Sequence, residues 1–246
     1  MENSLLINLS HQVAAYRSMD LIANNLANVS TPAYRREEPS FNEYISLVRP
    51  GEGQVGMQPL SFVADGGVVR DLSEGRLENT NAPFDFAIHG KGYFVVQTAS
   101  GERYTRNGHF SLDPSGQIVT SNGDPVQGDG GAITITPDDG DIHIAQDGTI
   151  SGKNGQIGRL RIVDFADPRA LTKEGSSLYS AGTQSPVPAD SFTLESGTLE
   201  SSNVEPVVEI SHMIEVMRAY QAVAALTQTQ QDLMLQADDK LGSMPS

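Results

Sequence analysis

The sequence lacks two residue types altogether, since none of its 246 residues is cysteine or tryptophan. Without cysteine there can be no disulfide framework, no thiolate nucleophile and no metal site with cysteine ligands. Aromatic residues are also scarce, at 6% of the chain, whereas glycine occurs 24 times and proline 13 times. Glycine and proline favour turns, so the composition predicts a body rich in strands and turns.

Basic residues are few as well. Lysine and arginine number 16 against 31 aspartates and glutamates, which gives a formal net charge of −15. Nucleic acids and anionic lipids both attract basic surfaces, so we expect this protein to bind neither. The excess of acidic residues is interpreted as a contribution to solubility.

Long hydrophobic runs are missing too. No apolar run approaches the ~18 residues that a membrane span needs, so direct membrane insertion is not expected. The first residues do not match a secretory signal peptide, because Glu2 occupies the region that should be basic and the first arginine is Arg17. Taken alone, these features predict a cytoplasmic protein.

Apolar side chains near the start of the chain recur every three or four residues, which predicts a helix over residues 4–29. Pro32 disfavours helical backbone at Thr31 and therefore ends this helix. An isolated helix is only marginally stable in water, so its apolar stripe has to pack against something else.

The end of the chain repeats this pattern. Ser202 and Glu205 fit a capping box, and Pro206 falls in the first turn of a predicted helix over residues 206–241. At 1.5 Å per residue this helix is ~54 Å long, which is too long for a small globular domain. We therefore expect the two helices to pack on each other, on the β body or on other molecules.

Between the helices the period of the apolar residues changes to two. Phe84, Phe86 and Ile88 alternate with polar or small residues, as in a half-buried strand. Four dipeptides of the kind that tight hairpin turns require follow: Asn107-Gly108, Asn122-Gly123, Asp147-Gly148 and Asn154-Gly155. The pattern predicts an antiparallel, hairpin-rich β domain over residues 81–185.

The predicted fold class is therefore α+β, with long terminal helices and a central antiparallel β domain. The predicted divisions are a discontinuous helical core at residues 1–32 and 203–246, extended connectors or hairpins at 33–80 and 186–202, and the β domain at 81–185.

No catalytic, cofactor or metal motif is found. The five histidines do not cluster in sequence, and residues 137–141 lack the ligand spacing of a calcium-binding EF-hand loop. Gly90 and Gly92 are interpreted as turn glycines, because no third glycine completes a nucleotide-binding motif. We therefore predict a protein that is not an enzyme and that binds no cofactor or metal.

Four segments, in order along nearly the whole chain, resemble the bacterial flagellar axial family of rod, hook and hook–filament junction proteins. They are IANNLANVSTPAYR (22–35), NAPFDFAIHGKGYFVV (81–96), YTRNGHFSLDPSGQIVTSNGDPVQG (104–128) and ESSNVEPVVEISHMIEVMRAYQA (200–222). One departure is Gln221, where the family usually has an acidic residue after Arg-Ala-Tyr.

The resemblance implies a structural subunit of the proximal rod, the part of the drive shaft that passes torque from motor to hook. It implies that the terminal helices pair as a coiled coil and pack against neighbouring subunits, both other copies and related rod proteins, in a tubular assembly. It also implies export without a cleaved signal through the flagellar type III apparatus, and a place in the periplasmic basal body.

The resemblance further directs attention to side chains on the two helices as an assembly interface. The predicted interface residues are Leu9, Val13, Met19, Asn24, Asn25, Leu26, Asn28, Ile214, Met217, Arg218, Tyr220, Val223 and Leu226. We interpret the three asparagines as buried amides that fix how subunits dock, because a wrong register would leave their donors and acceptors unpaired.

Alternatives remain open at this stage. Without the resemblance, Asn28 fits better as the left-handed cap of a frayed, solvent-facing helix end, and Asn24 is undecided. Arg218 beside Tyr220 also fits a solvated arginine next to a side chain packed within the helix pair. A distal-rod subunit is the nearest alternative function. A secreted β-rich hydrolase that uses Asp113, Asp138 or Asp141, or an adhesin with helical ends, belongs to another class.

Overall fold

The computed structural model describes residues 2–48, 58–175 and 177–242. The chain divides into two compact units. The first, the helical unit, consists of Met1–Ala27, Glu37–Asp71 and Glu205–Ser246. The second, the β unit, consists of Asn28–Arg36 and Leu72–Val204.

Two helices form most of the helical unit. Helix α1 spans Glu2–Ala27 and helix α2 spans Pro206–Gly242, and they pack against each other. The amide of Asn8 donates to Gln230 Oε1 at 3.3 Å, whereas Asn25, near the other end of α1, contacts Glu209 at 3.4 Å. The two helices are therefore antiparallel. Among the described residues, none of the helices is apolar over a stretch long enough to cross a membrane.

A long β-hairpin completes the helical unit. Strands β1 (Glu37–Val48) and β2 (Gln58–Arg70) pair antiparallel along their whole length, with one irregularity between Pro39 and Phe41. Both strands pack on α1. This hairpin lies in the stretch for which the sequence predicts extended connectors or hairpins.

The β unit contains short antiparallel strands. They are β3 Leu77–Asn79, β4 Phe86–Gly90, β5 Tyr93–Thr98, β6 Gly101–Thr105, β7 Phe110–Leu112, β8 Ile118–Thr120, β9 Gln127–Gly128, β10 Gly131–Ala132, β11 His143–Ile144, β12 Thr149–Gly152, β13 Gly155–Arg159, β14 Ile162–Asp164, β15 Thr172–Glu174, β16 Leu178–Ser180, β17 Val187–Pro188, β18 Phe192–Ser196 and β19 Thr198–Glu200. Single 3-10 turns occupy Pro137–Asp139 and Pro168–Ala170.

The largest sheet has six strands in the order β15-β16-β6-β5-β14-β17. A three-stranded sheet, β11-β12-β13, and four two-stranded sheets, β18-β4, β19-β3, β7-β8 and β10-β9, accompany it. The turn dipeptides Asn154-Gly155 and Asp147-Gly148 lie beside paired strands, as the sequence predicts.

Strand β5 is buried on both faces. Phe94 and Val96 pack in a cluster with Phe86, Ile88 and Phe110, and the rings of Phe94 and Phe110 meet edge to face at 5.2 Å. The alternate residues of β5 pack in a second cluster that includes Tyr104 and Phe165. Because both faces are covered, this strand is a continuous apolar run rather than an alternating one.

The structure confirms an α+β protein with two helices and a β-rich centre. The residue boundaries proposed from the sequence are finer than this and stay predictions, as does the pairing of the helices as a coiled coil.

Candidate assembly surfaces and a buried ion cluster

One face of α1 carries a row of exposed apolar side chains. Leu6, Leu9, Val13 and Tyr16 are 53–62% exposed and are spaced by three, four and three residues. This spacing places them on one side of the helix. We call these four residues the α1 stripe.

An apolar groove lies between the α1 stripe and the β1–β2 hairpin. Its volume is about 680 Å³, and Phe41 and Val63 line its hairpin side. Arg17 and Asp65 lie at the Tyr16 end of the groove, with 3.7 Å between the guanidinium and the carboxylate. Large exposed apolar grooves of this kind are typical of surfaces that bind another protein or a ligand.

Helix α2 carries a second exposed row with the same spacing. Val207, Ile210, Ile214 and Met217 are 78%, 46%, 46% and 43% exposed, respectively. We call them the α2 stripe. Tyr220 and Val223, farther along α2, are half-buried. The α2 stripe thus stays exposed although the two helices pack against each other.

The predicted interface residues fall into three groups by exposure. Leu9, Val13, Asn24, Ile214, Met217, Arg218 and Leu226 are exposed; Met19, Leu26, Asn28, Tyr220 and Val223 are half-buried; and Asn25 is buried. Their contacts with other subunits stay a prediction.

Asn25 has a specific role inside the helical unit, which sequence reasoning missed. Its amide oxygen accepts from the backbone N–H of Glu37 at 3.0 Å, and its amide nitrogen donates to the carbonyl of the same residue at 2.9 Å. The amide nitrogen also contacts the carboxylate of Glu209 at 3.4 Å. Asn25 thus joins the end of α1 to the first residue of β1 and to the first turns of α2.

A buried ion cluster lies in the β unit. The Glu200 carboxylate, whose side chain is 1% exposed, is 2.7 Å from Arg35 Nη2 and 3.2 Å from Arg106 Nε. The backbone N–H of Gly75 also donates to this carboxylate at 3.0 Å. Two positive charges and one backbone donor therefore surround a single negative charge that water does not reach.

Arg106 makes further hydrogen bonds to three backbone carbonyls. Its Nη1 donates to Gly90 O at 2.7 Å and Gly92 O at 2.9 Å, and its Nη2 donates to Ile88 O at 3.0 Å. Together with Glu200, these carbonyls accept hydrogen bonds from all three nitrogens of the Arg106 guanidinium. The arginine is thus committed to the fold rather than available to an anionic ligand.

The ion cluster unites the four segments on which the family resemblance rests. Arg35, Arg106 and Glu200 come from the first, third and fourth segments, and the carbonyls that Arg106 binds come from the second. Asn203, in the fourth segment, adds a bond from the Arg36 N–H at 2.6 Å. The signal for this site in the sequence is a charged residue in the first, third and fourth of these segments.

The aspartates considered for hydrolysis are turn residues. The carboxylate of Asp113 accepts hydrogen bonds from Gln117 N–H and from Ser115, which lower the pKa of Asp113. A carboxylate held ionised in this way is poorly suited to donate a proton. Among the described residues, no three histidine or acidic side chains converge as metal ligands would.

Comparison with known proteins identifies the family of the chain. The profile described as "Flagellar hook protein FlgE/F/G D1 domain" matches residues 87–152, and "Flagellar basal body rod FlgEFG protein C-terminal" matches residues 195–239. The chain belongs to the family of flagellar basal-body rod and hook proteins.

Individual relatives cover nearly the whole chain. A flagellar basal-body rod protein FlgF from Caulobacter vibrioides is 37% identical over 99% of this chain and 100% of its own length. One from Mesorhizobium japonicum is 33% identical over 99% of each chain. A flagellar basal-body rod protein FlgG from Bacillus subtilis is 32% identical over 95% of this chain and 97% of its own length.

Proposed function

We propose that this chain is a structural subunit of the flagellar basal-body rod, of the proximal FlgF type. It polymerises with other copies and with related rod subunits through its helical unit, and the resulting shaft passes torque from motor to hook. The observation that carries this proposal is the pair of exposed apolar stripes in a chain whose full length matches rod proteins.

Burial of the exposed apolar side chains favours assembly. Val13 is 62% exposed and Val207 is 78% exposed. Complete burial of one such side chain contributes roughly 1.5–3 kcal/mol, so a subunit with two stripes gains stability by packing among neighbours. Many subunits joined in this way make a stiff shaft.

Within this proposal the two antiparallel helices wind as a coiled coil in the assembled rod. The subunit leaves the cell unfolded or loosely folded through the type III export apparatus, without a cleaved signal, and reaches the periplasmic part of the basal body. The absence of cysteine supports this route, because no disulfide has to be opened or formed.

The subunit performs no catalysis in this proposal. Similarity to relatives named FlgG keeps a distal-rod position as the second candidate. A proximal-rod subunit and a distal-rod subunit would occupy different layers in a map of the isolated basal body.

The test is a deletion strain that is complemented in trans. We expect the strain without this chain to build neither rod nor hook, and we expect the unaltered chain to restore both in electron micrographs of basal bodies. Complete, rotating flagella in the deletion strain would refute the proposal. A chain with Leu112→Asp, an exposed substitution in the β unit, serves as the control that still complements.

A further inference from the structure

The α1 stripe and the α2 stripe have the same geometry. Each consists of four apolar residues spaced by three, four and three positions, so each spans ~15 Å of helix. The order three-four-three reads the same in both directions. The two stripes therefore match in spacing whether the helices run parallel or antiparallel.

The stripes cannot meet within one chain. Within one chain Asn8 of α1 contacts Gln230 of α2 and Asn25 contacts Glu209, so the α1 stripe lies beside a part of α2 that follows the α2 stripe. The α2 stripe stays exposed in that arrangement. The groove beside the α1 stripe is open as well. A second copy of the chain is the source of a matching α2 stripe.

We propose that the groove between the α1 stripe and the β1–β2 hairpin binds the α2 stripe of a second copy. This inference rests on the proposed function and assigns a specific surface to it. Because the groove and the α2 stripe are different surfaces, the contact is heterologous, and its repetition joins many copies into a ring or a helix rather than a closed dimer.

The direction of packing follows from the antiparallel helices of one chain. If all copies point the same way along the assembly, α1 of one copy lies antiparallel to α2 of the next. The layers then pair Leu6 with Met217, Leu9 with Ile214, Val13 with Ile210 and Tyr16 with Val207. The two charged residues that line the groove, Arg17 and Asp65, are 3.7 Å apart and pair with each other, so covering the groove leaves neither of them without a counter-charge.

The size of the surface supports a contact between copies that is weak in isolation. The exposed fractions of the two stripes and of Phe41 offer an area on the order of 1,000 Å² in total, below the roughly 1,200–2,000 Å² of stable complexes. A single pair of copies therefore dissociates readily. Each contact becomes persistent when the neighbours of a growing assembly hold both copies in place.

The absence of cysteine makes the contact testable by disulfide cross-linking. We would mix full-length Val13→Cys chains with full-length Ile210→Cys chains of different mass and oxidise them. We expect about tenfold more mixed dimer than from Val13→Cys with Leu233→Cys, because proximity raises the effective concentration. Leu233 is a matched control, since it is 57% exposed on α2 but lies outside the α2 stripe.

The direction is tested with two further mixtures. Leu6→Cys with Met217→Cys is expected to cross-link, and Leu6→Cys with Val207→Cys is not. The reverse preference overturns the antiparallel arrangement. Equal yields with the Leu233→Cys control, or a predominant dimer of Val13→Cys with itself, overturn the groove as the site of a second copy.

A substitution separates this inference from the proposed function. Ile214→Asp is expected to reduce the Val13→Cys and Ile210→Cys cross-link at least about fivefold and to abolish motility, whereas Leu233→Asp leaves both unchanged. If chains with Ile214→Asp complement a non-motile deletion strain fully, this inference fails while the proposed function stands. If Ile214→Asp abolishes motility but Val13→Cys and Ile210→Cys chains that keep Ile214 never cross-link, the occupant is a different rod subunit, and the inference fails as well.

Discussion

At the scale of single residues, this protein has both buried and surface ion pairs. Glu200 is surrounded by Arg35 and Arg106 away from water, whereas pairs such as Glu102 with Arg161 lie at the surface. A buried pair costs desolvation when it forms, but the loss of one member leaves an uncompensated charge in the interior. The buried cluster therefore determines which substitutions the β unit tolerates.

We expect Glu200→Gln to lower the free energy of unfolding by about 3–5 kcal/mol, because Arg35 and Arg106 both lose the Glu200 carboxylate and, among the described residues, only Arg106 keeps a second one, that of Glu74 at 3.5 Å. The matched control, Glu102→Gln, removes a half-exposed partner of Arg161 at 2.8 Å and should cost less than about 1 kcal/mol. Urea unfolding of the purified full-length chain measures both. Similar losses for the two variants would show that the cluster does not stabilise the β unit.

A second prediction for a single residue concerns how the stability of the chain depends on pH at acidic pH. Hydrogen bonds from Gln117 and Ser115 lower the pKa of Asp113 in the folded chain below its ordinary value of 3.8. A lowered folded pKa contributes stability above pH 3.8, and this contribution is lost as the pH falls through the folded pKa. The unfolding midpoint of Asp113→Asn should therefore depend less on pH between about 5 and 2 than that of the unaltered chain.

The exposed aspartate Asp129 provides the control for that experiment. Asp129→Asn keeps the hydrogen bonds around Asp113 and should retain the pH dependence of the unaltered chain. An Asp113→Asn chain with the same acid dependence as Asp129→Asn would contradict the role given to Gln117 and Ser115.

At the scale of elements, the sequence predicts the helices well, because they follow from the local spacing of apolar residues. The predicted helices at 4–29 and 206–241 agree with Glu2–Ala27 and Pro206–Gly242 to within two residues. The ion cluster was not predicted, because its members are far apart in the chain; Arg106 and Glu200 alone are separated by 94 residues. Which residues meet across such a distance depends on the register in which the strands pair. The local pattern of apolar and polar residues does not specify that register.

Asn25 illustrates the same limit within one element. Its place near the end of a helix was visible in the sequence, and its burial was expected. Its partner Glu37 was not, because the hairpin that begins there lies in a stretch with weak periodicity. The predicted docking role of Asn24 and Asn28 is still a prediction, whereas Asn25 already has a bonding role within its own chain.

The contact between β4 and the turn before β7 gives an element-scale prediction. A Cβ added at Gly108 would lie 1.7 Å from the carbonyl oxygen of Phe86, so Gly108→Ala forces these two segments apart. We expect a loss of more than about 3 kcal/mol, measured by thermal unfolding. Gly130→Ala is the control, since nothing lies within 4 Å of its added Cβ, and its effect should stay within about 0.5 kcal/mol.

At the scale of the whole molecule, the two units differ in how much of their apolar surface is covered. Strand β5 of the β unit has Phe94, Val95 and Val96 fully buried. Helix α2 of the helical unit has Glu209 as its only buried side chain within residues 206–236, and its apolar stripe is open to solvent. The free energy for local opening follows buried contacts, so the units should open independently and with different ease.

Hydrogen exchange of the free subunit tests this difference and links it to assembly. Amides of residues 206–236 should exchange far faster than those of β5 in the purified monomer, because few buried contacts oppose fraying of α2. In rods isolated from cells the same helix amides should become protected, while those of β5 change little, since neighbours add burial only to the helical unit. Equal protection of α2 in the free and assembled chains would mean that the helix is already stable alone. The open stripes would then be ordinary surface, and the assembly interface would have to lie on the β unit.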